Sequence, residues 1–93
     1  MTKLEQKLIE LGYLRCICVE NTYFKYISEV LYIVIELEYG LNKKVASFRI
    51  TNMQPNNYNV WCLNITNQQD IDNLQLALDV MQKDLEVLKE YEN

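Results

Sequence analysis

Cys16, Cys18 and Cys62 are the side chains with the most chemistry open to them, because the chain holds three cysteines and no histidine. Cys16 and Cys18 form a C-x-C pair, and the third sulfur is distant in sequence. A structural zinc site takes four Cys or His ligands, and this chain offers no obvious fourth, so no metal is expected. On a strand, Cys16 and Cys18 point the same way and a bond between them would be strained. A cysteine nucleophile needs an activating cation or base. Arg15 beside Cys16 is the one candidate, and neighbouring strand residues face opposite sides. The expectation is buried free thiols without a disulfide framework.

The remaining chemistry is equally sparse. Lack of histidine removes the commonest general base. Gly12 and Gly40 are the only glycines, too few for a phosphate-cradling loop. Ser28 and Ser47 lie outside any nucleophile-elbow context. The "NIT" at residues 64–66 matches a glycosylation acceptor, but no secretion signal accompanies it. The sequence therefore reads as non-enzymatic, with no catalytic residue, metal or cofactor.

Carboxylates are the abundant charged groups, and they are unevenly placed. Residues 1–66 carry seven basic and six acidic side chains, a sum of +1, whereas residues 67–93 carry seven acidic and two basic, a sum of -5, within a net charge of -4. Counterion release from nucleic acid needs clustered Lys and Arg, so direct nucleic-acid binding is disfavoured. At about 100° per residue, Ile71, Leu74, Ala77, Leu78, Met81, Leu85 and Leu88 share one helix sector, the expected core stripe. Asp72, Asp79, Glu86 and Glu90 form an acidic band, and Leu76, Val80, Val87 and Tyr91 a second apolar stripe. The acidic band is either a solvated face or the candidate surface for a basic partner. The second stripe either meets an N-terminal segment or loop of the same chain or is a candidate partner or dimer contact. Positions 71, 74, 78, 81, 85 and 88 also satisfy a heptad and could seam two helices.

The elements that carry these groups follow from local signals. Thr2 and Glu5 form a capping-box pattern and Gly12 a stop, giving a helix over 3–11 with Leu4, Leu8 and Leu11 inward. From Tyr13 the period becomes two. "LRCICV" and "TYFKYI" read as strands of a hairpin about Glu20 and Asn21. "VLYIVIELEYG" places Leu31, Ile33, Ile35, Leu37 and Tyr39 on one face. "VASFRIT" alternates Ala46, Phe48 and Ile50 against Ser47, Arg49 and Thr51. "NMQPNNYN" is a loop by turn chemistry, and "VWCLNI" suits a last strand. Thr66 and Gln69 form a second capping-box pattern, opening a helix that runs to about Tyr91.

The 93 residues make one domain, residues 1–93, and its composition, 49% hydrophobic and 24% charged, is that of a folded chain. The longest uninterrupted apolar run, "VLYIVI", is too short to span a bilayer, so a cytoplasmic protein is expected. The expected fold class is α+β: a short N-terminal helix, an antiparallel sheet of four or five strands, and a long C-terminal helix packed on one sheet face. Seven tyrosines and ten asparagines fit either a contact surface or AT-rich codon usage.

The opening "MTKLEQKLIELGY" and the ending "DIDNLQLALDVMQKDLEVLKEYE" resemble the ends of small phage and mobile-element proteins of AT-rich bacteria, in the format of anti-CRISPR inhibitors. That format implies a short, acidic, non-enzymatic domain that inhibits host defence. Its carboxylates, here Asp72, Asp79, Glu86 and Glu90 joined by Glu36 and Glu38 from the sheet, would take the place of nucleic-acid phosphates on a basic, nucleic-acid-handling protein. Two other classes stand beside it. One is a homodimeric structural or assembly adaptor using the C-terminal helix, and the other a binder of a small nucleotide signal in a tyrosine-lined pocket.

Overall fold

A computed structural model describes residues 1–29, 31–40, 43–52 and 65–91. The fold is α+β, in the order α1 (Lys3–Glu10), β1 (Leu14–Arg15), β2 (Thr22–Tyr26), β3 (Leu31–Leu37), β4 (Val45–Asn52) and α2 (Gln68–Lys89). The strands form one antiparallel meander, β1-β2-β3-β4, and both helices pack on the same face of it. Most of the "NMQPNNYN" loop and of the strand expected in "VWCLNI" lies outside the described residues. Ile65 is described, and it is exposed and in no strand.

The first helix forms for the expected reason. Thr2 Oγ1 accepts from the Glu5 N–H at 3.2 Å, and Glu5 Oε1 accepts from the Thr2 N–H at 3.0 Å, closing the capping box. Gly12, at φ 96, ends the helix in a Schellman turn: the Gly12 N–H donates to Ile9 O and the Tyr13 N–H to Leu8 O, both at 3.0 Å. Only glycine adopts that backbone angle without strain. The turn delivers Tyr13 into the interior.

The hairpin after it is shorter than its alternation suggests. Pairing between β1 and β2 covers Leu14↔Phe24 and Arg15↔Tyr23, with one further bond from the Cys16 N–H to Thr22 O at 2.8 Å. The chain then bends through residues 17–19, so the "CICV" half of the expected strand is a loop. Cys16 is half-buried and Cys18 exposed, which overturns the expectation of buried thiols for both. Asn21 completes the turn at φ 57, a left-handed angle that asparagine tolerates.

The central strand keeps its expected faces. Leu31, Ile33, Ile35 and Leu37 are buried toward the helices, joined by Tyr23 from β2. Tyr39, expected on that face, lies beyond the strand end and is exposed. A bulge between Glu36 and Leu37 pairs Glu36 with Ser47 but Leu37 with Val45. Ala46 becomes the extra residue, so Val45 rather than Ala46 joins Phe48 and Ile50 against the core. On the opposite face Phe24, Tyr26 and Tyr32 meet at centroid distances of 5.6 to 6.4 Å.

The C-terminal helix starts one residue later than its capping pattern predicts. Asn67 is the N-cap, its side chain accepting from the Asp70 N–H at 2.9 Å. The Asp70 carboxylate in turn accepts from the N–H and hydroxyl of Thr66 at 2.9 and 3.0 Å. The helix is also rotated by about 60° from the expected orientation. Ala77, Asp84 and Leu88 are its buried residues, with Val80, Met81 and Tyr91 against the core, whereas Ile71 and Leu78 are 49% and 46% exposed. No helix among the described residues is long and apolar enough to cross a membrane.

Candidate functional site

The rotation of α2 follows from what Asp84 meets. Its Oδ2 accepts from the Tyr13 hydroxyl at 2.8 Å and from Lys25 Nζ at 3.0 Å, at 4% exposure. The Lys25 ammonium also lies 5.0 Å from the centroid of the Tyr13 ring. A buried carboxylate without such partners would lose several kcal/mol of hydration uncompensated, on the order of the cost of breaking a buried pair. Ala77, with no side chain beyond Cβ, lets that face of the helix approach the sheet.

A second constellation repeats the same chemistry on α1. Glu5 Oε2 accepts from the Tyr23 hydroxyl at 2.9 Å, and Lys43 Nζ stands 3.7 Å away. Lys43 donates to Asn21 Oδ1 at 2.9 Å, tying the hairpin turn to the approach to β4. Burial pushes the Glu5 carboxyl up. The bond from the Thr2 N–H, the hydroxyls of Tyr23 and Thr2 and the charge of Lys43 outweigh it and hold the group at about 2. Burial and the Glu5 bond push Tyr23 up to about 12. Burial and the Asp84 bond push Tyr13 well above the ordinary tyrosine range.

Raised tyrosines stay protonated and act as donors, the reverse of what a nucleophilic or basic phenolate requires. The two sets therefore work as locks, each fixing a helix carboxylate to a tyrosine and a lysine from the sheet side. Sequence reasoning missed both as sites. Glu5 had a local role as a capping residue, and Asp84 was one carboxylate in an acidic helix. Its position seven residues after Ala77 and four before Leu88 was the available signal.

The expected acidic face is present on α2 and absent from the sheet. Asp72, Asp79, Glu86 and Glu90 are all exposed, on the side of the helix away from the core and spanning about 27 Å at 1.5 Å per residue. Asp72 accepts from Gln68 Nε2 at 3.0 Å and Asp79 from Gln75 Nε2 at 2.9 Å, side-chain pairs along the helix surface. Exposed Lys83 stands beside this band, in a shallow groove lined by Leu76, Asp79, Val80, Gln82, Lys83 and Glu86. The bonds from the Thr66 N–H and hydroxyl hold the Asp70 carboxyl below its ordinary range. Glu36 lies on the sheet face away from the helices, 2.7 Å from the Arg49 guanidinium, and Glu38 is exposed after β3. The structure does not bring these two onto the helix face, because α2 covers the opposite side of the sheet.

The second apolar stripe is divided as well. Val80 and Tyr91 pack against the core, Val87 is half-buried, and Leu76 is 49% exposed. The rotation that buries Asp84 draws Val80 and Tyr91 inward, so the four do not form one free surface. Comparison of the chain with models of known protein families, with curated proteins and with solved structures finds no match.

Proposed function

We propose that the chain is a non-enzymatic interaction module of the anti-CRISPR-like format, carried by a phage or mobile element. It binds a basic, nucleic-acid-handling host protein through the solvent side of α2. The observation that carries the reading is the exposed run of Asp72, Asp79, Glu86 and Glu90 opposite the core face. Same-sign carboxylates on a rigid helix steer and orient a cationic surface, and they occupy it where phosphates would otherwise sit. Rigidity comes from below: Asp84, bound to Lys25 and Tyr13, fixes the rotation of the helix.

The test compares wild type with an Asp72→Lys, Asp79→Lys, Glu86→Lys variant, folded by circular dichroism, as baits for host protein. The Debye length falls from about 10 Å at 0.1 M salt to about 3 Å at 1 M, so an acidic-face complex dissociates over that range. The expected partner is basic, is lost with charge reversal and high salt, and is displaced by duplex DNA. A partner retained by the reversed variant, or indifferent to salt, overturns the reading.

One observation favours a second reading, self-association. Ile71 and Leu78, two of the six heptad positions, are exposed, and Leu74 and Leu85 are half-buried. A dimer by light scattering that becomes a folded monomer in Ile71→Glu, Leu78→Glu would move the function to assembly.

A further inference from the structure

We propose that Cys16 and Cys18 form a redox-reversible dithiol, closing to an intramolecular disulfide when the protein meets a peroxide. On an extended strand these residues would sit near the upper limit of the Cα separation that a disulfide spans, roughly 6.8 Å. Here the two thiols are not held on such a strand: β1 ends at Arg15 and the chain bends through residues 17–19.

Access is asymmetric in the way such a pair requires. Cys18 is exposed, between Ile17 at 99% exposure and a half-exposed Val19, and is open to an oxidant. Cys16 is half-buried, beside a shallow depression lined by Arg15, Cys16, Ile17 and Glu20. Reactive thiols that form disulfides reversibly are solvent-accessible and lie next to a resolving cysteine. The base of the loop is fixed by the Cys16 N–H to Thr22 O bond at 2.8 Å and the Thr22 hydroxyl to Glu20 O bond at 3.1 Å. Neither bond uses a thiol, so both can persist in the closed ring.

The chemistry balances with the peroxide as oxidant. The Cys18 thiolate attacks one peroxide oxygen; an S–O bond forms, the O–O bond breaks, and the electron pair leaves with hydroxide, which takes up the thiol proton as water. Cys16 then attacks the sulfenic sulfur; the S–S bond forms, the S–O bond breaks, and a second water leaves with the Cys16 proton. The sulfurs lose two electrons and the peroxide gains them. A small, exposed ring of this kind is strained, so its potential is high and thiols reopen it readily.

Peptide mapping of the intact wild-type protein tests the pair. Trypsin cuts after Arg15 and Lys25, which places both thiols on one peptide, residues 16–25, and Cys62 on another, residues 50–83. After stoichiometric hydrogen peroxide, the 16–25 peptide is expected to be lighter by two hydrogen atoms, to resist iodoacetamide, and to regain both properties with dithiothreitol. In Cys16→Ser, one equivalent of peroxide is expected to leave Cys18 as the sulfenic acid, trapped with dimedone. A 16–25 peptide that is unchanged, is joined to 50–83 or to a second copy, or carries only added oxygen in wild type overturns the proposal.

Discussion

Replacing Lys25 by methionine leaves the Asp84 carboxylate buried without the ammonium that sits 3.0 Å away in the wild type. The Tyr13 hydroxyl, at 2.8 Å, remains as its donor. Removing one partner of a buried ion pair costs about 3 kcal/mol or more, because the other charge is left uncompensated. The Asp84 side chain is 5% exposed, but that of Lys25 is 22% exposed and the Tyr13 hydroxyl still donates to the carboxylate, so the cost falls at the lower end, about 3 kcal/mol. A chain of 93 residues has about 5 to 14 kcal/mol of total stability, so the loss is large, on the order of 15 °C in Tm. Urea unfolding followed by circular dichroism measures it. The decisive comparison is the Tyr13→Phe, Lys25→Met, Asp84→Leu triple variant, which removes every member of the set together. It is expected to lie within about 1 kcal/mol of wild type, because no buried polar group is then left unpaired. A Lys25→Met cost below about 1 kcal/mol, or a triple variant as unstable as the single, would refute the assignment of this set as an electrostatic lock.

The Glu5 carboxyl, held at about 2 against an ordinary 4.5, stabilises the fold above pH 4.5 and loses that contribution as pH falls toward 2. At about 1.4 kcal/mol per pH unit the contribution is about 3 kcal/mol, and Glu5→Gln is expected to flatten the urea midpoint over that acid range. Ultraviolet titration is expected to show Tyr23 ionising only at about pH 12 and Tyr13 later still. Leu76→Asp is expected to change stability by less than about 0.5 kcal/mol and Val80→Asp to cost 2 kcal/mol or more, since only Val80 packs on the core. Equal effects of the two would contradict the observed rotation of α2. Asn67→Ala is expected to cost about 1 kcal/mol by thermal unfolding through loss of the N-cap bond to Asp70.

Much of this protein is determined within short windows of its sequence. The capping box of Thr2 and Glu5, the glycine stop at residue 12, the inward face Leu31, Ile33, Ile35 and Leu37, and the existence of a long last helix all depend on neighbours a few residues apart. The band of Asp72, Asp79, Glu86 and Glu90 was legible for the same reason, since helical spacing alone places the four together. What local spacing could not decide was which side of that helix faces the sheet. Two apolar sectors competed, and the outcome rests on partners remote in sequence: Tyr13 is 71 residues from Asp84 and Lys25 is 59. The end of β1 at Arg15 is likewise beyond the reach of alternation, because a strand needs a ladder partner and β2 supplies one for two residues only. Local periodicity sets which residues share a face. Tertiary contact, through the hydration that a buried carboxylate must replace, decides which face is inside.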